Sequence, residues 1–114
     1  MVTIYHNPRC SKSRQTLQLL RDQNIEPNIV EYLKTPLSAE QISALAEMLG
    51  IEVRALLRTS EADYKENNLA NSDLSDEKLL QAMVTWPKLL QRPIVVNGEK
   101  AAIGRPPELV LDII

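Results

Sequence analysis

Apolar and polar positions follow two rhythms along this chain, and the rhythm changes at turn residues. Val2-Thr3-Ile4-Tyr5 is a short run with β-branched members that reads as a strand. A polar stretch from His6 to Arg14 follows. Thr16, Leu17, Leu20 and Ile25 then mark the apolar side of a helix of about a dozen residues. Pro27 stops that helix, and Asn28-Ile29-Val30-Glu31-Tyr32 reads as a second strand. Strand, helix and strand in so short a stretch form a right-handed βαβ unit, which makes the two strands parallel.

Beyond a loop at Pro36, Ser38-Ala39-Glu40-Gln41 has the form of a capping box. Ile42, Leu45, Ala46 and Leu49 continue at helical spacing until Gly50 supplies the stop. Val53, Leu56 and Leu57 predict a short helix ending in Leu57-Arg58-Thr59, and the polar stretch from Ser60 to Ser75 predicts another around Tyr64. Leu79, Leu80, Met83 and Val84 define a further helix closed by Trp86-Pro87. The last third changes character. Pro93-Ile94-Val95-Val96 reads as a strand, Asn97-Gly98 as a hairpin turn and Lys100-Ala101-Ala102-Ile103 as the returning strand. Gly104-Arg105-Pro106-Pro107-Glu108 then starts a final helix with Leu109, Val110 and Ile113 on its apolar face.

This order predicts an α/β fold of thioredoxin-like type, a mixed four-stranded sheet (βαβ…ββα) with helices on both faces and an inserted helical segment. Residues 1–114 are expected to form a single domain. In that architecture the loop after the first strand lies near the start of the third, so Cys10 should meet the Arg92-Pro93 step. Proline is tolerable there, because it removes a ladder donor only at the head of the strand.

Composition narrows the class. With 44% apolar and 25% charged residues the chain is an ordinary soluble globule. No apolar stretch is long enough to span a membrane, and the N-terminus has neither the basic start nor the apolar core of a signal peptide. A net charge of -2 argues against nucleic acid as a partner. One cysteine and one histidine cannot supply a structural zinc site without unusual partners, so no metal is expected; no bound cofactor is expected either. A single thiol also excludes an internal disulfide, which fits a reducing cytoplasmic setting. Any disulfide formed must therefore join another molecule.

The candidate chemistry lies in His6-Asn7-Pro8-Arg9-Cys10-Ser11-Lys12-Ser13-Arg14. Cys10 falls where a turn gives way to a helix, and unsatisfied N–H groups and a partial positive charge there favour an anion. A low-pKa thiolate results from such surroundings, helped by Arg9, Lys12 and Arg14. A lone cysteine elsewhere is usually a small buried hydrophobe, but three cations and two serines are poor company for a core residue. His6 offers a hydrogen bond or a charge, and Ser11 and Ser13 either bind an anion or cap the helix.

With these residues assembled, the chain resembles the glutaredoxin-coupled arsenate reductase family from the first strand to the last residue. The marks are His6-Asn7-Pro8-x-Cys10-Ser11-Lys12-Ser13-Arg14 together with Arg92-Pro93 and Gly104-Arg105-Pro106-Pro107. The resemblance implies that Cys10 attacks arsenate to give a thiolate-bound arsenic adduct. It implies that Arg58, Arg92 and Arg105 bind the oxyanion, that His6 helps keep the thiol ionised and that Pro93 is cis. Glutathione would be the co-substrate and glutaredoxin the partner that completes reduction to arsenite, with the protein acting as a monomer. Longer members of that family continue past the final helix, where this sequence stops at Ile114. Arginine suits the task physically, since its planar charged fork makes strong bonds to tetrahedral oxyanions.

Three rival readings share parts of the pattern. A thiol-dependent regulator or partner-binding protein on the same fold typically carries Cys-x-x-Cys, whereas position 13 here is Ser13. A monothiol glutaredoxin-like thiol transferase matches Cys10-Ser11-Lys12-Ser13 but has no use for Arg92 and Arg105. Low-molecular-weight phosphatases and their reductase relatives require Cys-x5-Arg, and the required position holds Thr16.

Overall fold

The structure is a computed structural model that describes residues 1–114. Four strands form one sheet in the order β2-β1-β3-β4: β1 is Val2–Tyr5, β2 Asn28–Val30, β3 Ile94–Asn97 and β4 Lys100–Ile103. β1 pairs parallel with β2 and antiparallel with β3, and β3 pairs antiparallel with β4. This is the mixed thioredoxin-like arrangement that the order of elements predicts. Packing divides the chain into two compact units, one built from Met1–Thr35 and Arg92–Ile114, the other from Pro36–Gln91.

The first unit holds the sheet. α1, Ser11–Asp22, buries Ser13, Thr16, Leu17 and Leu20. Leu17 and Leu20 pack with Ile4 of β1, Val95 of β3 and Val110 into one apolar cluster, and Ile4 and Val95 are cross-strand partners. Burying each such side chain contributes roughly 1.5–3 kcal/mol, enough to fix α1 and the C-terminal segment on one face of the sheet.

Four local expectations need correction here. α1 ends before Pro27 rather than at it, because Asn24 takes a left-handed φ of 62° and the Ile25 N–H bonds back to the Leu20 carbonyl. β2 stops at Val30; the chain turns through Lys34 N–H and Thr35 N–H to the Glu31 carbonyl, so Tyr32 is buried in a turn and not on a strand. In the hairpin Asn97 pairs with Lys100, which leaves Gly98-Glu99 as the loop. Gly98 has a φ of 64° at the first central position, the pattern of a II′ turn. Finally, the last element is a 3-10 helix, Pro107–Ile113. Pro107, Val110 and Ile113, the residues it turns inward, recur every third position, which suits three residues per turn better than 3.6. Asn97 Nδ2 ties it down by donating to the Ile113 carbonyl at 2.6 Å.

The second unit is the inserted helical segment. α2, Ala39–Leu49, begins with both bonds of the capping box, Gln41 N–H to Ser38 Oγ at 3.1 Å and Ser38 N–H to Gln41 Oε1 at 2.9 Å. Gly50 ends it with a φ of 69°. A 3-10 turn at Val53–Leu56 and the short α3, Ala62–Glu66, follow, and then α4, Asp76–Thr85, packs on α2. Arg54 donates to the carbonyls of Leu69 and Asn71, both at 2.8 Å, and so pins the irregular stretch before α4. Leu57 and Leu90 form an isolated antiparallel bridge. None of the helices is long and apolar enough to cross a membrane.

Candidate active site

Sheet register brings the candidate residues of the first unit together. Tyr5 pairs with Ile94, so the loop leaving β1 lies beside the residues that lead into β3. Asn7 shapes that loop twice over. Its carbonyl accepts from Cys10 N–H at 3.0 Å, closing a turn with Pro8 at the second position, and its side-chain Oδ1 accepts from Arg9 N–H at 3.0 Å. The Asn-Pro pair was legible as a turn; the side-chain bond that stiffens it was not.

The turn delivers Cys10 to the N-cap of α1, with extended backbone and its carbonyl accepting from Arg14 N–H at 3.0 Å. The residue is buried, only 8% exposed. At an N-cap the side chain faces the free N–H groups of the second and third helical residues, here Lys12 and Ser13. Burial by itself pushes the Cys10 pKa up. The Ser13 N–H, the Arg92 guanidinium through a hydrogen bond and its charge, and the Lys12 N–H outweigh it, and the net displacement is downward. Arg105 adds a contact, its Nη2 lying 3.8 Å from the sulfur.

Arg105 and Arg92 are coupled to each other. Arg105 Nε donates to the Arg92 carbonyl at 2.8 Å, while Arg92 Nε is buried and has no hydrogen-bond partner. The Arg92-Pro93 peptide is cis, in line with the resemblance; the Arg105-Pro106 peptide is also cis, which the sequence did not signal. Cys10, Arg92 and Arg105 therefore converge from chain positions more than eighty residues apart in sequence.

The other expected site residues take distinct places. His6 is buried, and its Nδ1 lies 2.7 Å from Ser13 Oγ, which also accepts from Asn7 N–H at 3.0 Å. No hydrogen bond joins His6 to Cys10. Burial lowers the His6 pKa, opposed by the charge of Glu31 and assisted by Arg21 and Arg14, so the imidazole is neutral at pH 7. The assignment that satisfies all three groups has the Ser13 hydroxyl donating to Nδ1. Ser13 thus neither binds an anion through its hydroxyl nor caps the helix with it; it links the imidazole to the turn. Ser11, Lys12 and Arg14 are exposed, and Arg14 Nη1 braces the loop by donating to the Pro8 carbonyl at 2.9 Å. Arg58 belongs to the second unit. Its N–H donates to the Leu89 carbonyl at 2.7 Å, and its Nη1 is buried with no hydrogen-bond partner. Arg54 is spent on two backbone carbonyls.

This arrangement is a nucleophile set among amides and guanidinium groups, which suits an anionic substrate and a thiolate at once. It also sets a direction for pH dependence. The thiolate is favoured, so alkylation of Cys10 is expected to rise to its plateau at lower pH than for an ordinary thiol. In Arg92→Ala the inflection moves up, because a cation that favours the charged form is gone. A slow alkylating agent followed across pH measures both; an inflection at or above the ordinary thiol value in the parent protein contradicts the geometry. By linkage, the thiolate stabilises the fold at alkaline pH, and that contribution is lost as pH falls through the folded-state pKa.

Comparison with known proteins places the chain. The model of the ArsC family matches residues 5–113. The protein is 57% identical over 99% of its length to "Uncharacterized protein YfgD" of Escherichia coli strain K12, covering 96% of that protein. It is 50% identical to "Arsenate reductase" of Haemophilus influenzae, covering 99% of this chain and 98% of that one. Among solved structures, "Arsenate reductase from Vibrio cholerae" superposes with a TM-score of 0.97 at 54% identity, covering 99% of this chain and 97% of the other. The family model spans residues of both units, the Cys10 loop included, and the chain belongs to the ArsC family.

Proposed function

We propose that this protein is an arsenate reductase in which Cys10 is the nucleophile. The observation that carries the proposal is the convergence of a thiol of lowered pKa with two arginines, one of them 3.8 Å from the sulfur. Arsenate is a tetrahedral oxyanion that those guanidinium groups match in shape and charge, and its arsenic accepts a thiolate. Arsenate reductases among its relatives, at up to 50% identity over nearly the whole chain, support the same reaction.

In this reading Arg92 and Arg105 hold the oxyanion, and Arg92 Nε, buried without a partner, has a bond to give to it. For Arg58, the buried and unpartnered Nη1 is the feature that supports a ligand-binding role. Attack by the Cys10 thiolate forms a sulfur–arsenic bond, and one arsenate oxygen leaves as water after protonation. Arsenic is still pentavalent at this stage. Reduction takes two electrons, and the chain has one cysteine, so the second thiol must come from outside. Glutathione forms a second sulfur–arsenic bond with loss of another oxygen as water. A glutaredoxin thiolate then attacks the glutathione sulfur; that sulfur–arsenic bond breaks and its electron pair stays on arsenic. Water displaces Cys10 from the trivalent product, releasing arsenite and leaving a glutathione–glutaredoxin disulfide. His6 acts through Ser13, holding the turn that presents the thiol. A reducing cytoplasm, no bound cofactor and a monomeric protein fit this scheme.

The direct test is arsenite formation by purified protein supplied with arsenate, glutathione and glutaredoxin. Turnover that requires both thiol reagents is expected. A protein whose thiol titrates low yet yields no arsenite under any thiol supply would overturn the arsenate reading.

A further inference from the structure

We infer that Gly104 is a positioning residue, whose missing side chain lets the Arg105 segment sit close enough to α1 for its guanidinium to reach Cys10. A Cβ built on Gly104 would lie 2.5 Å from Thr16 Oγ1, 2.9 Å from the Pro93 ring and 3.1 Å from Thr16 Cγ2. All three are shorter than ordinary carbon contacts, and the first two demand displacement. Neither neighbour yields easily. Thr16 is fully buried and its Oγ1 donates to the Lys12 carbonyl at 2.8 Å; Pro93 is buried, and its carbonyl accepts from Gly104 N–H at 2.9 Å.

Gly104 itself is not in a left-handed conformation, so the need for glycine here is one of space and not of backbone torsion. The chain runs directly from this contact into Arg105, whose Nε reaches the Arg92 carbonyl at 2.8 Å and whose Nη2 reaches Cys10 Sγ at 3.8 Å. Any displacement at Gly104 is therefore passed to a guanidinium one residue away. Thr16 serves as the stop that sets the distance. The inference deepens the arsenate reductase reading in naming what places its oxyanion-binding arginine, but the positioning itself is measurable without arsenate.

The experiment compares Gly104→Ala with the double variant Thr16→Ala, Gly104→Ala, which removes both Thr16 atoms that crowd the new methyl group. In Gly104→Ala the Cys10 alkylation inflection should move upward, and arsenate should be bound about tenfold more weakly, the size of effect that a lost guanidinium contact gives. The double variant should return part of the way toward the parent in thiol titration and in thermal stability, since the 2.9 Å contact with the Pro93 ring remains and the Thr16 bond to the Lys12 carbonyl is lost. A folded Gly104→Ala with unchanged thiol titration overturns the inference. So does a double variant that is no closer to the parent than Gly104→Ala in either measurement, including the case where both fail to fold. Because the thiol titration uses no arsenate, a protein inactive toward arsenate still answers the question about Gly104.

Discussion

Replacing Cys10 by serine is expected to abolish arsenite formation while leaving the fold, at a pH low enough that the thiol is protonated, as stable as before or more stable. The two effects have separate physical origins. Turnover needs a sulfur that ionises near neutral pH, bonds to arsenic and leaves again, and a serine hydroxyl does none of these. Loss of the nucleophile should lower the rate by on the order of 10³-fold or more, to whatever the thiols in solution achieve unaided. Stability moves the other way because Cys10 is the N-cap of α1, and serine is among the preferred N-cap residues, with an oxygen suited to the Lys12 and Ser13 amides. A gain of up to about 1 kcal/mol follows from ordinary capping energetics. Thermal unfolding alongside the arsenite assay reads both. Residual turnover in Cys10→Ser at a tenth of the parent rate or more would remove Cys10 from the mechanism.

Arg105→Ala carries the second large effect. This side chain makes one bond to the sulfur and one to the Arg92 carbonyl, and in the proposed reaction it also holds the oxyanion. Charge-assisted hydrogen bonds contribute roughly 1.5–3 kcal/mol each, so kcat/KM for arsenate should fall roughly 10- to 150-fold. The Cys10 alkylation inflection should move upward in the same variant, since a cation facing the thiolate is lost. Stability should change by less than about 1 kcal/mol, because the residue is exposed and belongs to no ion pair. Arg105→Lys should recover the charge but not the fork that spans Sγ and the carbonyl, and so only part of the activity. Unchanged arsenate kinetics in Arg105→Ala would make this arginine a surface charge.

The coupling of Arg105 to the Arg92 carbonyl makes their effects non-additive. Once Arg105 is gone, the backbone that presents Arg92 has lost a bond. Arg92→Ala should therefore cost less in the Arg105→Ala background than in the parent, a sign that a double-mutant cycle measures directly.

Much of this protein was legible in its sequence, because the signals are local. A strand, a turn at Asn7-Pro8 and a helix beginning after Cys10 follow from periodicity and turn chemistry within about two dozen residues. The capping box at Ser38 and Gln41 and the stop at Gly50 appear in the structure as the pattern states, since caps are satisfied by residues three apart. Cys10 stood out because a thiol among cations at a helix start has a physical consequence wherever the rest of the chain goes. What tertiary structure decided is distance between remote segments. The order of elements already set Cys10 beside the Arg92-Pro93 step; pairing of β1 with β3 realises that approach, and the contact of Arg105 with the sulfur is seen only in the folded chain. Of the hydrogen bond or charge that the sequence offered for His6, burial favours the neutral imidazole, hydrogen-bonded to Ser13. Packing against one apolar cluster selected a three-residue period for Pro107–Ile113, and strand register moved the hairpin loop to Gly98-Glu99. The space denied to any side chain at Gly104 exists only once Thr16 and Pro93 meet there. Periodicity fixes which face of an element is apolar; which remote residue it touches is settled by packing alone.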